Sequence, residues 1–134
     1  MDIGHLLTRA AQRFPDRPAW ITEDQAITFR EAEDRVNRLA NALLEMGVQR
    51  GDRVGILLPN CHEGLETILA PMRAGMTVVP MNVRLHPREH QHLLGNSGAT
   101  TLVYSQELQD HVGQIRETPG SVRHFICVGG SSGG

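Results

Sequence analysis

Residues 47–82, GVQRGDRVGILLPNCHEGLETILAPMRAGMTVVPMN, restrict the possible folds of this chain more than any other stretch. The run VGILL at 54–58 is continuously apolar, the pattern of a strand buried on both faces. Pro59 breaks it, and Asn60 with Glu63 three residues later can cap a helix. That helix is expected to bury Leu65, Ile68, Leu69 and Met72, to bend at Pro71 and to stop at Gly75. Thr77–Pro80 then reads as a second strand. Two buried strands joined by a helix pair in parallel, because the crossover returns the chain to the same end of the sheet.

The alternation continues downstream. His86 and Pro87 open another helix with proline at its first position, and Gly95, Asn96, Ser97 and Gly98 close it. Residues 101–104 form a third strand. Ser105 is placed to cap a helix carrying Leu108, Val112 and Ile115, which Thr118, Pro119 and Gly120 end. His124–Val128 is the fourth strand. Upstream, Ile3, Leu6, Leu7, Ala10, Ala11 and Phe14 recur at helical spacing until Pro15 and Pro18. Two short segments, 19–22 and 26–29, flank Glu23, Asp24 and Gln25 as a small hairpin. Thr28 and Glu31 form a capping box for a helix with Ala32, Val36, Leu39, Ala40 and Leu43 on one face, stopped by Gly47. The fold class is therefore α/β: a parallel sheet of about four strands with flanking helices, plus an N-terminal helix and a short hairpin. No internal repeat is present.

A chain of 134 residues fits one domain, able to bury roughly two thirds of its unfolded surface. Hydrophobic content of 40% and charged content of 21% are those of a globular protein rather than a disordered one. The net charge of -2 offers no field for nucleic acid or an anionic membrane, so neither is an expected partner. No apolar run approaches the ~20 residues of a membrane span. The opening MDIGHLLTRAAQRF lacks the basic start, apolar block and cleavage site of a signal peptide. Cys61 and Cys127 are too few for a disulfide framework and read as reduced, buried thiols, so the expected location is cytoplasmic.

Three pieces of wording carry a resemblance: RFPDRPAW, then ITFREAEDRVNRLANALLEMGVQRGDRVGILLPN, then RAGMTVVPMNVRLHPREHQHLLGNSGA. In order and spacing they resemble the N-terminal part of the adenylate-forming ligases, the acyl-CoA synthetase family. The likeness runs from about Phe14 to Val128, and the NVRLHPREH wording is most like bacterial fatty-acid and aromatic-acid CoA ligases. It implies activation of a carboxylic acid with ATP to an acyl-adenylate, then transfer to coenzyme A. Implied with it are a phosphate loop ending in Pro-Lys-Gly, an acidic residue for magnesium, an aspartate on the ribose and a lysine on a C-terminal lid. None of these falls within this sequence. ATP, Mg and CoA are accordingly expected for a complete enzyme, and no cofactor for this chain alone. Residues 1–128 are expected to be a partial N-terminal α/β subdomain of a larger N-terminal domain, and 129–134 (GGSSGG) a flexible tail. The tail resembles a phosphate loop in composition but lacks the lysine and any following helix.

The resemblance also bears on single residues. Arg84 lies in the loop after the second strand, at the edge where open α/β sheets bind ligands. In some relatives an arginine of this loop meets a phosphate of coenzyme A, for which a guanidinium fork is suited. The alternative is a solvated loop arginine. Arg88 is a weaker second candidate. His86, His90 and His92 invite a metal reading, yet no acidic or cysteine ligand completes a set, and they read as solvated residues of an exposed helix. Cys61 beside His62 lacks an oriented base, and Asp52 and Glu63 read as a turn residue and a cap. No residue is expected to be catalytic or to bind metal.

Three readings follow from the sequence. The first is the N-terminal part of an acyl-CoA synthetase, incomplete and inactive alone, whose partner is the remainder of the ligase or a second copy. The second is a non-catalytic α/β binding or scaffold module with the family fold. The third is an unrelated flavodoxin-like domain, against which stands the lack of a phosphate-binding turn after any strand.

Overall fold

The computed structural model describes residues 5–21, 26–58, 62–118 and 120–128, with the backbone alone at Trp20 and at 62–65. The chain runs α1 (Leu6–Arg13), β1 (Pro18–Ile21), β2 (Ala26–Thr28), α2 (Phe29–Glu45), β3 (Arg53–Leu57) and α3 (His62–Arg73). It continues β4 (Thr77–Pro80), α4 (Pro87–Ser97), β5 (Thr101–Ser105), a single 3-10 turn (Gln106–Leu108), α5 (Gln109–Arg116) and β6 (His124–Val128). Four strands form one sheet in the order β4-β3-β5-β6, with every neighbouring pair parallel. The hairpin β1-β2 is a separate antiparallel pair with an irregularity between Pro18 and Trp20.

Alternation along the central strands divides the side chains between two layers. Val54 and Ile56 of β3 and Val103 of β5 pack with Val36, Ala40, Leu43, Ala70 and Ala74, the layer of α2 and α3. Leu57, Leu102 and Tyr104 face the other way, onto Leu94, Val112 and Ile115 of α4 and α5. Burial on both faces explains the unbroken apolar run read in β3. Val54, Leu57 and Leu102 are wholly buried, each contributing about 1.5–3 kcal/mol relative to exposure. Gly55 is set by the same packing. A Cβ there would stand 2.8 Å from Leu94 Cδ2 and 3.3 Å from Leu102 Cδ1, so α4 lies against the strand where a side chain is missing.

Helix termini follow the sequence closely. Thr28 Oγ1 accepts from the Glu31 amide at 3.2 Å while the Glu31 carboxylate accepts from the Thr28 amide at 3.1 Å. Gly98 ends α4 in the left-handed region with φ 70, where a side chain would be strained. Asp52 is a turn residue, its carboxylate accepting from the Gln49 amide at 2.9 Å.

Three expectations are corrected. Ser105 makes no side-chain cap; its hydroxyl donates to Glu107 Oε1 at 3.4 Å, and a 3-10 turn intervenes before α5. In α3 the buried positions are Thr67, Ala70 and Pro71, while Ile68, Leu69 and Met72 are half-buried. Small side chains fill the first layer there, since Ala32, Ala40, Ala70 and Ala74 all belong to it, and the larger residues sit at its margins. The opening amphipathic helix is present as α1, with Leu7 its buried residue, while Leu6 is 49% and Phe14 41% exposed, and the guanidinium groups of Arg13 and Arg17 lie 5.8 and 4.6 Å from the centre of the Phe14 ring. Cys127 is a free, half-buried thiol rather than a core residue, because β6 is covered incompletely. Ile3, the hairpin turn at 23–25, Asn60, Cys61 and the tail 129–134 lie outside the described residues, as do the side chains of His62, Glu63 and Leu65.

Candidate functional site

The loop 81–86 leaves β4 at the C-terminal edge of the sheet, beside the strand pair β3-β5 where the chain's direction of winding changes. Such edges are where open α/β sheets take ligands. The loop is held at both ends. Met81 is buried, and its amide donates to the Ile56 carbonyl at 2.9 Å, extending the sheet pairing one residue beyond β4. Asn82 Oδ1 accepts from the Arg84 amide at 2.9 Å, and the Asn82 carbonyl from the Leu85 amide at 3.3 Å, closing a turn around Arg84. His86 then caps α4. Its Nδ1 accepts from the Arg88 amide at 3.2 Å, and its own amide donates to Glu89 Oε1 at 3.0 Å.

Between these anchors Arg84 is exposed. Among the described residues no carboxylate or ring engages its guanidinium. The partly buried arginine cations, by contrast, are occupied: Arg35 pairs with Glu66 at 3.0 Å, and Arg73 pairs with Glu33 while donating to Asn37 and Thr8. Arg88 stands on the first turn of α4 and is also exposed. The Glu89 carboxylate occupies the helix start, so an anion here would be gripped by arginine side chains rather than by the free amides of α4.

The metal reading of the three α4 histidines dissolves differently from the expectation of solvated residues. His86 is a cap, and His92 is exposed and bonded to Asn96 at 3.0 Å. His90 is wholly buried. Its Nε2 lies 2.7 Å from the Asn82 carbonyl and its Nδ1 2.7 Å from His111 Nε2. The two rings meet edge to face with centroids 4.8 Å apart. Burial is possible because both ring nitrogens find partners. Among the described residues no group of three or more His, Cys, Asp or Glu side chains could hold a metal ion. His111 and Asn82 were missed by sequence reasoning. The one available signal was that His90 precedes Leu94 by four positions, on the same helix face as a core residue.

The residues also do not fit a nucleoside triphosphate clamp. The sequence has no lysine, so its 13 basic residues are all arginine. Two hollows among the described residues lie elsewhere. One, of about 490 Å³, opens among Leu94, Ile115, Arg116, Ser121 and Phe125, on the α4 and α5 side. The other surrounds the Arg73–Glu33 pair.

Comparison with known proteins places this geometry in a family. The model for AMP-binding enzymes matches residues 7–132, and the chain belongs to that family. It is 33% identical over 128 residues to a medium/long-chain-fatty-acid–CoA/3-oxocholest-4-en-26-oate–CoA ligase of Mycobacterium tuberculosis, covering 96% of this chain and 23% of the relative. Its fold is similar to the N-terminal domain of FACL13 from Mycobacterium tuberculosis, with a TM-score of 0.89, 29% identity, and 95% of this chain and 33% of that one covered. A benzoate CoA ligase from Burkholderia xenovorans LB400 is similar at a TM-score of 0.88 and 25% identity, covering 96% and 26%. The chain thus corresponds to the N-terminal part of acyl-CoA synthetases and spans about a quarter of the curated relatives' length. The scaffold-module alternative is not favoured. Among the described residues no helix is long and apolar enough to cross a membrane.

Proposed function

We propose that these residues form the N-terminal α/β layer of an enzyme that activates a fatty or aromatic acid with ATP and transfers the acyl group to coenzyme A. On this reading Arg84 holds a phosphate of coenzyme A. The observation that carries the Arg84 reading is a guanidinium unpaired among the described residues, on a loop pinned at the C-terminal sheet edge. An exposed arginine held this way presents its fork of donors to phosphate without first breaking an ion pair. Catalysis of adenylation requires donors aimed at charge developing on the phosphates. Those donors, and the carboxylate for Mg, would come from the remainder of the ligase, and no step is assigned to residues of this chain. Residues 1–128 then constitute a partial subdomain, and the enzyme works in the cytoplasm.

The test is Arg84→Ala in the complete enzyme. The expected result is a several-fold rise in KM for coenzyme A with pyrophosphate exchange unchanged, because the first half-reaction precedes coenzyme A. An unchanged KM would remove Arg84 from the site while leaving the family assignment intact.

A further inference from the structure

We propose that His90 is a positioning residue for the Arg84 loop, and that His111, acting through it, makes the order of that loop sensitive to protonation. The Asn82 carbonyl can only accept, so His90 Nε2 carries a hydrogen and donates to it. In neutral His90 the Nδ1 is therefore an acceptor, and His111 Nε2 donates into it. The chain of donors runs from α5 through α4 to the loop. It ends on the residue whose side chain closes the turn around Arg84.

One proton can be added without breaking this chain, since either ring can donate across the 2.7 Å gap. A second proton cannot. Both facing nitrogens would then carry hydrogen, and two like charges would meet with His90 wholly buried. The rings must separate, and His90 has no room to move without drawing Nε2 off the Asn82 carbonyl.

The surroundings do not offset that charge. The elements around the pair carry the ionisable residues Arg88, Glu89 and His92 on α4 with His86 at its cap, Asp110 and Arg116 on α5, Glu107 on the 3-10 turn and Tyr104 on β5, and of these His86 acts on His111. The Glu89 carboxylate is already bonded to the His86 amide and that of Glu107 to Ser105. Burial holds the His111 pKa below the ordinary imidazole value, and the neighbouring His90 and His86 lower it further. A lowered folded-state value favours neutral His111. Its contribution is complete above the ordinary value of about 6.5 and is lost as pH falls through the folded-state value.

Hydrogen exchange of the full chain, read on peptides covering 81–86 and corrected for intrinsic rates, tests the proposal between about pH 7.5 and about pH 5. The expected result is a several-fold loss of protection at the acid end. His111→Gln keeps a neutral donor for His90 and should retain protection at both ends. His90→Leu should fill the core yet leave the loop poorly protected at every pH. Protection in the parent chain that does not change with pH overturns the proposal, as does acid loss that persists in His111→Gln. That the loop meets coenzyme A rests on the reading of Arg84 above. Exchange reports loop order alone, so a failed Arg84→Ala experiment leaves this result readable, and the converse also holds.

Discussion

Gly55 carries a tight steric constraint at the scale of single residues, inside the core. The nearest atoms to an added Cβ are the ends of two leucine side chains, Leu94 Cδ2 and Leu102 Cδ1, which can yield only into an already filled layer. Gly55→Val is expected to destabilise by roughly 1–3 kcal/mol through overpacking, measured as a lower urea midpoint with an unchanged slope. Arg84→Ala, by contrast, removes an exposed group without partners among the described residues and should shift that midpoint by less than about 0.5 kcal/mol. A large loss of stability from Arg84→Ala would mean that the loop depends on the guanidinium, contrary to the proposed role as a free ligand for phosphate.

Two capping boxes and one histidine pair decide the behaviour of individual elements. Thr28 closes the first box, and Thr28→Ala should cost about 1 kcal/mol of stability. Both hydrogen bonds to Thr28 lower the Glu31 pKa, the backbone one foremost. Ionised Glu31 is thus favoured in the folded chain, with its contribution present above the ordinary carboxylate range and lost as pH falls below it. A carboxyl titration followed by NMR should show Glu31 moving up toward its ordinary value in Thr28→Ala. At the other end of the fold the sign is the same but the window differs. His111 makes stability decline as pH drops below about 6.5, and His111→Gln should flatten that part of the denaturation profile. Identical profiles for parent and variant would remove the pair from the acid response.

The two edges of the sheet differ in how they are closed to further pairing. β4 is short and ends in Pro80, which lacks an amide to donate. β6 bonds only to β5 among the described strands, and all five of its residues, His124 to Val128, are half-buried. An open edge with Phe125, Ile126 and Val128 along it invites pairing with another chain. In the isolated 134-residue chain this should appear in sedimentation velocity as association that grows with concentration. A monomer at every concentration, with no binding of an apolar-surface dye, would show the edge to be protected. The same isolated chain is expected to give no pyrophosphate exchange with any fatty or aromatic acid. Exchange by the chain alone would overturn the assignment of the phosphate-clamping groups to other parts of the ligase.

Local signals determined the elements of this protein. Buried-strand runs at β3, a proline opening α4, the Thr28–Glu31 box and Gly98 act within a few residues of themselves, so their meaning could be read from spacing alone. The parallel sheet followed, because buried strands alternating with helices leave few other ways to cover both faces. Family membership was legible for the same reason, in the order of RFPDRPAW, the GVQRGDRVGILLPN stretch and the VVPMNVRLHPREH stretch. Arg84 was found as a loop residue at a sheet edge, but its freedom from ion pairs among the described residues needed the tertiary structure. Which helix face turns inward was also a tertiary matter in α3, where Thr67 and Ala70 are buried deeper than Ile68 and Leu69. His90 shows the limit most plainly. Its partner His111 lies 21 residues away, on a helix that meets α4 only in the tertiary structure. A polar side chain can be buried wherever both its nitrogens are satisfied, and no local pattern announces where such partners will converge.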